Sequence, residues 1–243
     1  MNRRDRPKVI ANFALTADGK VSTRERTPAN FTSPRDKHRL LEIRAMGDAL
    51  LVGRNTVATD TMSMTLPDET LQAKRRAKGL APEPLRVIVS QRGRLAPKWK
   101  VFQTPGARRI VFCTTQMPTA KRRALEPLCD LHLFDAEWPP LEQVLAMLRK
   151  QYAVRTLVCE GGPTLLRGLV EIGALDVLCL TVAPVIFGGK DAPTLTGTNP
   201  EFLASIAHFR LASMRTVGGE CYLRYVAKRT PPLSSQLSAL NSK

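Results

Sequence analysis

Short apolar runs recur along this chain, and helical patterns separate most of them. That alternation limits the fold more than any other feature, because strands that alternate with helices build a largely parallel sheet covered on both faces. Strands are predicted over Lys8–Ala14, Ala49–Val52, Leu85–Ser90, Arg109–Cys113, Leu131–Phe134 and Thr156–Cys159. Helices are predicted over Pro34–Met46, Glu69–Lys78, Thr119–Leu125, Pro140–Tyr152 and Pro163–Ile172. The first helix opens with Ser33 as cap, Pro34 in its first turn and Asp36 placed to reach back as in a capping box. The fourth carries Leu141, Val144, Leu145 and Leu148 on one stripe.

The last third changes character. Val177–Val182, Phe209–Thr216 and Glu220–Ala227 read as strands without a strong helix between them, and Val217-Gly218-Gly219 is a hairpin signal. An antiparallel edge on a mostly parallel sheet follows. With aromatics at 5%, the core must be aliphatic. One domain is expected over residues 8–229, between a frayed basic arm (1–7) and a disordered tail (230–243).

The formal charge of +16 favours anionic partners, either nucleic acid or phosphorylated small molecules. The densest basic run, Lys74-Arg75-Arg76-Ala77-Lys78, reads as a solvated helix face. No nucleic-acid signature is present and stacking aromatics are few, so a phosphorylated small molecule is the expected partner and nucleic acid is not. No apolar run is long enough to span a membrane. The five cysteines form no C-x-x-C pair and the histidines are scattered, so neither disulfides nor a metal site is expected, and the compartment expected is the cytoplasm.

Four segments follow predicted strands, where open α/β sheets bind ligands. They are Thr16-Ala17-Asp18-Gly19-Lys20, Val52-Gly53-Arg54-Asn55-Thr56, Val89-Ser90-Gln91-Arg92 and Cys159-Glu160-Gly161-Gly162-Pro163-Thr164. Taken alone, the first is equally a plain turn and the second an ordinary helix start. In the fourth, two glycines would let a pyrophosphate approach the backbone at a helix N-terminus.

As an ordered set the segments resemble dihydrofolate reductase. They resemble more closely the pyrimidine reductase (RibD C-terminal domain) family of riboflavin biosynthesis. The resemblance rests on Asp18-Gly19-Lys20, Ile43-Arg44-Ala45, Asp48-Ala49-Leu50-Leu51-Val52-Gly53, Glu160-Gly161-Gly162-Pro163 and Ala183-Pro184-Val185-Ile186-Phe187-Gly188-Gly189, and covers about residues 8 to 227. It implies a dihydrofolate reductase-like fold, a homodimer and hydride transfer from NADPH. The implied reaction reduces 5-amino-6-(5-phosphoribosylamino)uracil at the imine C1′ to the ribitylamino product.

On this resemblance Gly161, Gly162, Pro163, Thr164 and Leu165 would cradle the pyrophosphate. Ala14, Gly53, Thr56 and Asp60 would line the cofactor site, and Arg54 and Ser90 would hold the 2′-phosphate. Asn12, Asp18, Thr32, Ser33, Arg44, Met64 and Glu160 would meet the substrate, with Arg44 on its phosphate. Glu160 and Asp60 are the candidate catalytic carboxylates. Two departures stand out. Asn12 stands where many bacterial members carry Lys, which looks like the archaeal type. Residues Asp60 to Pro67 lack the family's early proline and its following basic residue. The second departure motivates an alternative, reduction of another pterin-like or carbonyl/imine compound. No zinc deaminase signature is present, so a deaminase is expected on a separate chain.

Overall fold

The computed structural model describes residues 3–23, 25, 31–60 and 62–228; the side chain of Asp60 lies outside this description. The strands are β1 (Lys8–Thr16), β2 (Ala49–Gly53), β3 (Leu85–Val89), β4 (Arg109–Thr114), β5 (Asp130–Phe134), β6 (Thr156–Cys159), β7 (Leu175–Ala183), β8 (Phe209–Val217) and β9 (Glu220–Ala227). The helices are α1 (Pro34–Arg44), α2 (Arg54–Asp60), α3 (Glu69–Arg76), α4 (Lys100–Gln103), α5 (Thr119–Leu125), α6 (Leu141–Lys150) and α7 (Pro163–Glu171). All strands join one sheet in the order β5-β4-β3-β2-β6-β1-β7-β9-β8. Every pairing from β5 to β7 is parallel, and β9 pairs antiparallel with both β7 and β8. The fold class and antiparallel edge read from the sequence are those observed.

Two apolar layers cover the sheet. The stripe Val144, Leu145 and Leu148 of α6 packs with Leu165, Leu166 and Leu169 of α7 on one face. Ile43 of α1, Val57 of α2 and Leu125 of α5 pack on the other. The interior strands are buried on both sides, and for that reason they read as continuous apolar runs rather than alternating ones. The outer strand β8 is the exception, exposed along nearly its whole length.

Three local readings change. Residues 3–7 are not a frayed arm: Arg6 is buried and pairs with the buried Asp176 at 2.6 Å, while Arg3 reaches the same carboxylate. Asp176 also accepts from the Val9 amide, so it ties the N-terminal segment to the start of β1. Within the basic run, Arg75 is not on a solvated face. It is buried, and donates to the carbonyls of Ala45 and Gly47 just past α1 and to Ala81. Those carbonyls are acceptors that a helix end leaves free. Asp36 does not close a capping box. Its amide donates to the Ser33 hydroxyl, but its carboxylate accepts from Thr181, and the Ser33 amide goes to Glu220.

Burial opposes ionisation of Asp176, but hydrogen bonds from Arg6 and the Val9 amide, with the charges of Arg6 and Arg3, outweigh it and hold the carboxyl below its ordinary range. Its contribution is therefore complete above the unfolded-state carboxylate pKa, and is lost as pH falls through the lower folded value. Asp176→Ala leaves Arg6 buried without its partner and is expected to cost about 3–5 kcal/mol. Urea denaturation at neutral pH checks this, and the variant's stability should fall less than the wild type's on acidification.

Candidate functional site

β2 and β6 are neighbours, and both end in residues that let backbone meet backbone. The Gly53 amide donates to the Gly161 carbonyl at 2.9 Å, and the Glu160 amide to the Leu51 carbonyl at 3.1 Å. A Cβ on Gly161 would stand 3.1 Å from the Thr56 side chain, and its φ of +141° is a conformation that only glycine adopts readily. Gly161 and Gly162 are joined by a cis peptide bond. Gly162 then caps α7, with Pro163 in the first turn.

A cleft of about 790 Å³ opens from this point toward the end of β3. Gly53, Arg54, Thr56, Ser90, Gly162, Thr164 and Leu165 line it, all of them expected in the cofactor site. Ser90 is buried, and its hydroxyl accepts from the Gly93 amide. Arg54 donates to the Arg94 carbonyl and to Asn55, and its guanidinium lies 5.9 Å over the Trp99 ring. Arg92, noted in the sequence, and Arg94 and Trp138, not singled out there, share the lining. Nothing in the local sequence brings Trp138 here, since it arrives from beyond β5. Pro163 adjoins the cleft lining in sequence. Ala14 pairs with Thr181 across β1 and β7 and is half-buried.

The expected substrate residues divide into two groups. Glu160 and Asn12 take neighbouring places, because Ala11 pairs with Cys159 across β1 and β6. Glu160 receives Arg44 bidentately, at 2.7 and 2.8 Å, and Arg44 also donates to the Thr65 carbonyl at 2.7 Å. Both side chains are almost wholly buried. The Oδ1 of Asn12 is buried without a hydrogen-bond partner, an acceptor left open beside this pair.

Ser33 sits at the other end of α1, about 16 Å away by the rise of the helix. Its amide and hydroxyl donate to the buried Glu220, at 2.7 and 2.6 Å. Thr32 adjoins it. Asp18 accepts from the Thr16 hydroxyl and from the Phe187 and Gly188 amides, bonds that hold its carboxyl below the ordinary value.

Four of these residues have partners or surroundings within the protein. Arg44 spends its charge on Glu160, and a phosphate there would meet that carboxylate, so Arg44 holds Glu160 in place. Met64 is fully buried in the core with a left-handed backbone, φ 57°, and does not face an opening. The polar atoms of Ser33 serve its helix and Glu220. Asp18 closes the turn after β1 onto the loop after β7. The side chain of Asp60 lies outside the described residues.

Burial disfavours the thiolate of the cysteines inside the sheet. Burial pushes Cys159 up to about 12 and Cys113 to about 11. Among the described residues no cluster of His, Cys, Asp and Glu could hold a metal, and no helix is long and apolar enough to cross a membrane.

Residues 7–223 match the RibD C-terminal domain family. The chain belongs to that family. It is 32% identical over 190 residues to the 2,5-diamino-6-ribosylamino-4(3H)-pyrimidinone 5′-phosphate reductase of Archaeoglobus fulgidus, covering 78% of this chain and 86% of that protein. Its fold is similar to that of a pyrimidine reductase-like protein from Corynebacterium diphtheriae, with TM-score 0.80 at 18% identity over 92% of this chain and 93% of that one. It is also similar to that of Acinetobacter baumannii RibD, with TM-score 0.75 at 21% identity over 92% of this chain. The chain spans 58% of the length of that RibD.

In this family member the Arg44–Glu160 pair can be tested as a buttress. Arg44→Met alone leaves Glu160 buried and unpaired, and should lower stability by about 3–5 kcal/mol. The double variant Arg44→Met/Glu160→Met should recover most of that loss in the same urea titration.

Proposed function

We propose that this protein is an NADPH-dependent reductase of riboflavin biosynthesis. Its substrate is a phosphorylated ribosylaminopyrimidine, which it converts to the ribitylamino product. The observation that carries the reading is the cleft lined by Gly53 and Gly162, at the glycine turn that directly follows Glu160, in a chain of this family. The residues fit a dinucleotide. Glycines leave room for a pyrophosphate against the backbone, and the α7 N-terminus supplies free amides to it. Thr56 and Thr164 would add hydroxyl donors. Arg54, with Ser90 beside it, would hold a 2′-phosphate through charge-assisted hydrogen bonds.

When bound, the nicotinamide supplies the hydride that attacks C1′ of the opened imine. The chain's part is positioning. Glu160, fixed by Arg44, and the open acceptor of Asn12 would meet the N–H donors of the pyrimidine ring. Ala14, next along the same face of β1, would line the nicotinamide end, with Asp60 at the end of α2. Holding the ring at both residues would place C1′ at the mouth of the cofactor cleft.

The reading covers two ring forms, the uracil expected from the sequence and the 2,5-diaminopyrimidinone named for the Archaeoglobus relative. We further propose a cytoplasmic homodimer. Among the described residues the outer strand β8 has no strand on its far edge, with Leu211 and Met214 exposed, and such an edge invites a partner.

The test is NADPH oxidation followed by absorbance, with each phosphorylated ring form offered in turn. Turnover with at least one is expected, with NADPH bound well over tenfold more tightly than NADH, since a charge-assisted bond contributes about 1.5–3 kcal/mol. Turnover of neither, with a pterin or simple imine accepted instead, would favour the alternative substrate class. Gly162→Ala keeps an allowed backbone but sets a methyl 3.2 Å from the Thr56 hydroxyl. It should weaken NADPH binding while the melting temperature changes little.

A further inference from the structure

We propose that Trp138 is the platform on which the adenine of the dinucleotide stacks. The inference rests on the NADPH reading above and adds a residue to it. Trp138 is one of only two tryptophans in the chain and is 54% exposed. A large aromatic left half in water on the wall of a ligand-sized cleft calls for an occupant. The other tryptophan, Trp99, already has one, since the Arg54 guanidinium lies over its ring.

The position of Trp138 fixes which part of the ligand it meets. Glu160 follows β6, and the Gly161–Gly162 turn beside it begins the cleft. The cleft then crosses the end of β2 and reaches Ser90, Gln91 and Arg92 at the end of β3. Two strand spacings, about 10 Å, separate the glycine turn from Ser90. A dinucleotide with its pyrophosphate on the glycines and its nicotinamide toward β1 must lay its adenosine half in the other direction. The segment between β5 and α6, which brings Trp138 to the cleft lining, leaves the sheet on that same side, where β4 and β5 lie beyond β3.

The segment is rigid enough to act as a platform. Pro139 and Pro140 follow the tryptophan and fix two consecutive φ angles, Pro139 is buried, and Pro140 caps α6. The next residue, Leu141, packs against Gly168 of α7 so closely that a Cβ there would stand 2.8 Å from it. The indole is therefore presented from a fixed backbone, facing a cleft that also holds Arg54, Arg92 and Arg94. An aromatic face beside several guanidinium groups is suited to a flat base that carries phosphates.

Calorimetry with three probes tests this: NADPH, adenosine 2′,5′-bisphosphate and reduced nicotinamide mononucleotide. Trp138→Ala should weaken NADPH and the bisphosphate about tenfold each, and leave the mononucleotide unchanged. Trp138→Phe should restore most of the loss, and both variants should melt with the wild type. Equal affinities of wild type and Trp138→Ala for the bisphosphate would overturn the assignment while leaving the cofactor reading intact. Equal losses for all three probes would also overturn it. Wild-type protein that binds neither NADPH nor the bisphosphate would overturn the cofactor reading, and this inference with it.

Discussion

The contact on which the site depends is backbone against backbone, the Gly53 amide on the Gly161 carbonyl. Two parallel neighbours, β2 and β6, end side by side, and each must then turn into a helix. Side chains at those ends would push the strands apart or fill the space above them. Glycine at Gly161 and Gly162 removes that obstacle, since a Cβ on either would stand 3.1–3.2 Å from Thr56, while a Cβ on Gly53 would meet the Gly162 backbone at an ordinary 3.7 Å. From this junction α2 and α7 begin, and their first turns line part of the cleft. The glycines thus create the opening and leave amide groups facing into it.

The strong positive charge has a second use that composition hides. Several arginines are buried, and each spans parts of the chain distant in sequence. Arg6 joins the N-terminal segment to β7 through Asp176, and Arg75 collects carbonyls just past α1. Arg86 does the same for the turn at Thr104 and Pro105, and Arg167 binds the carbonyls of Glu201 and Phe202. The planar guanidinium, with donors on several sides, suits this better than a lysine ammonium would. Arg44 belongs to the same group, with the difference that its carboxylate partner borders the site.

Local order was legible in the sequence. Apolar periodicity placed the strands, and Ser33 and Pro163 marked helix starts, because those signals act within a few residues of the structure they specify. Short α4 was not visible, since one turn has no periodicity. The glycine turn was legible because a strand followed by Gly-Gly and a helix has few physical solutions. The partners of the site's side chains were not. Arg44 meets Glu160, Ser33 meets Glu220 and Asp18 meets Gly188 across more than a hundred residues each. An arginine at a helix end looks the same in sequence whether it faces a phosphate or a buried carboxylate. The packing of the α1 end against the end of β6 decides the matter, by bringing the Glu160 carboxylate to the Arg44 guanidinium.

The central claim is that the cleft beside Glu160 delivers a hydride to the sugar carbon of the pyrimidine substrate. NADPH dideuterated at C4 of its nicotinamide, used with the phosphorylated ribosylaminopyrimidine, tests it by mass spectrometry of the product. The account predicts a ribitylamino product carrying one deuterium, bound at C1′. A reduced product without deuterium, or with deuterium on the pyrimidine ring, would contradict it.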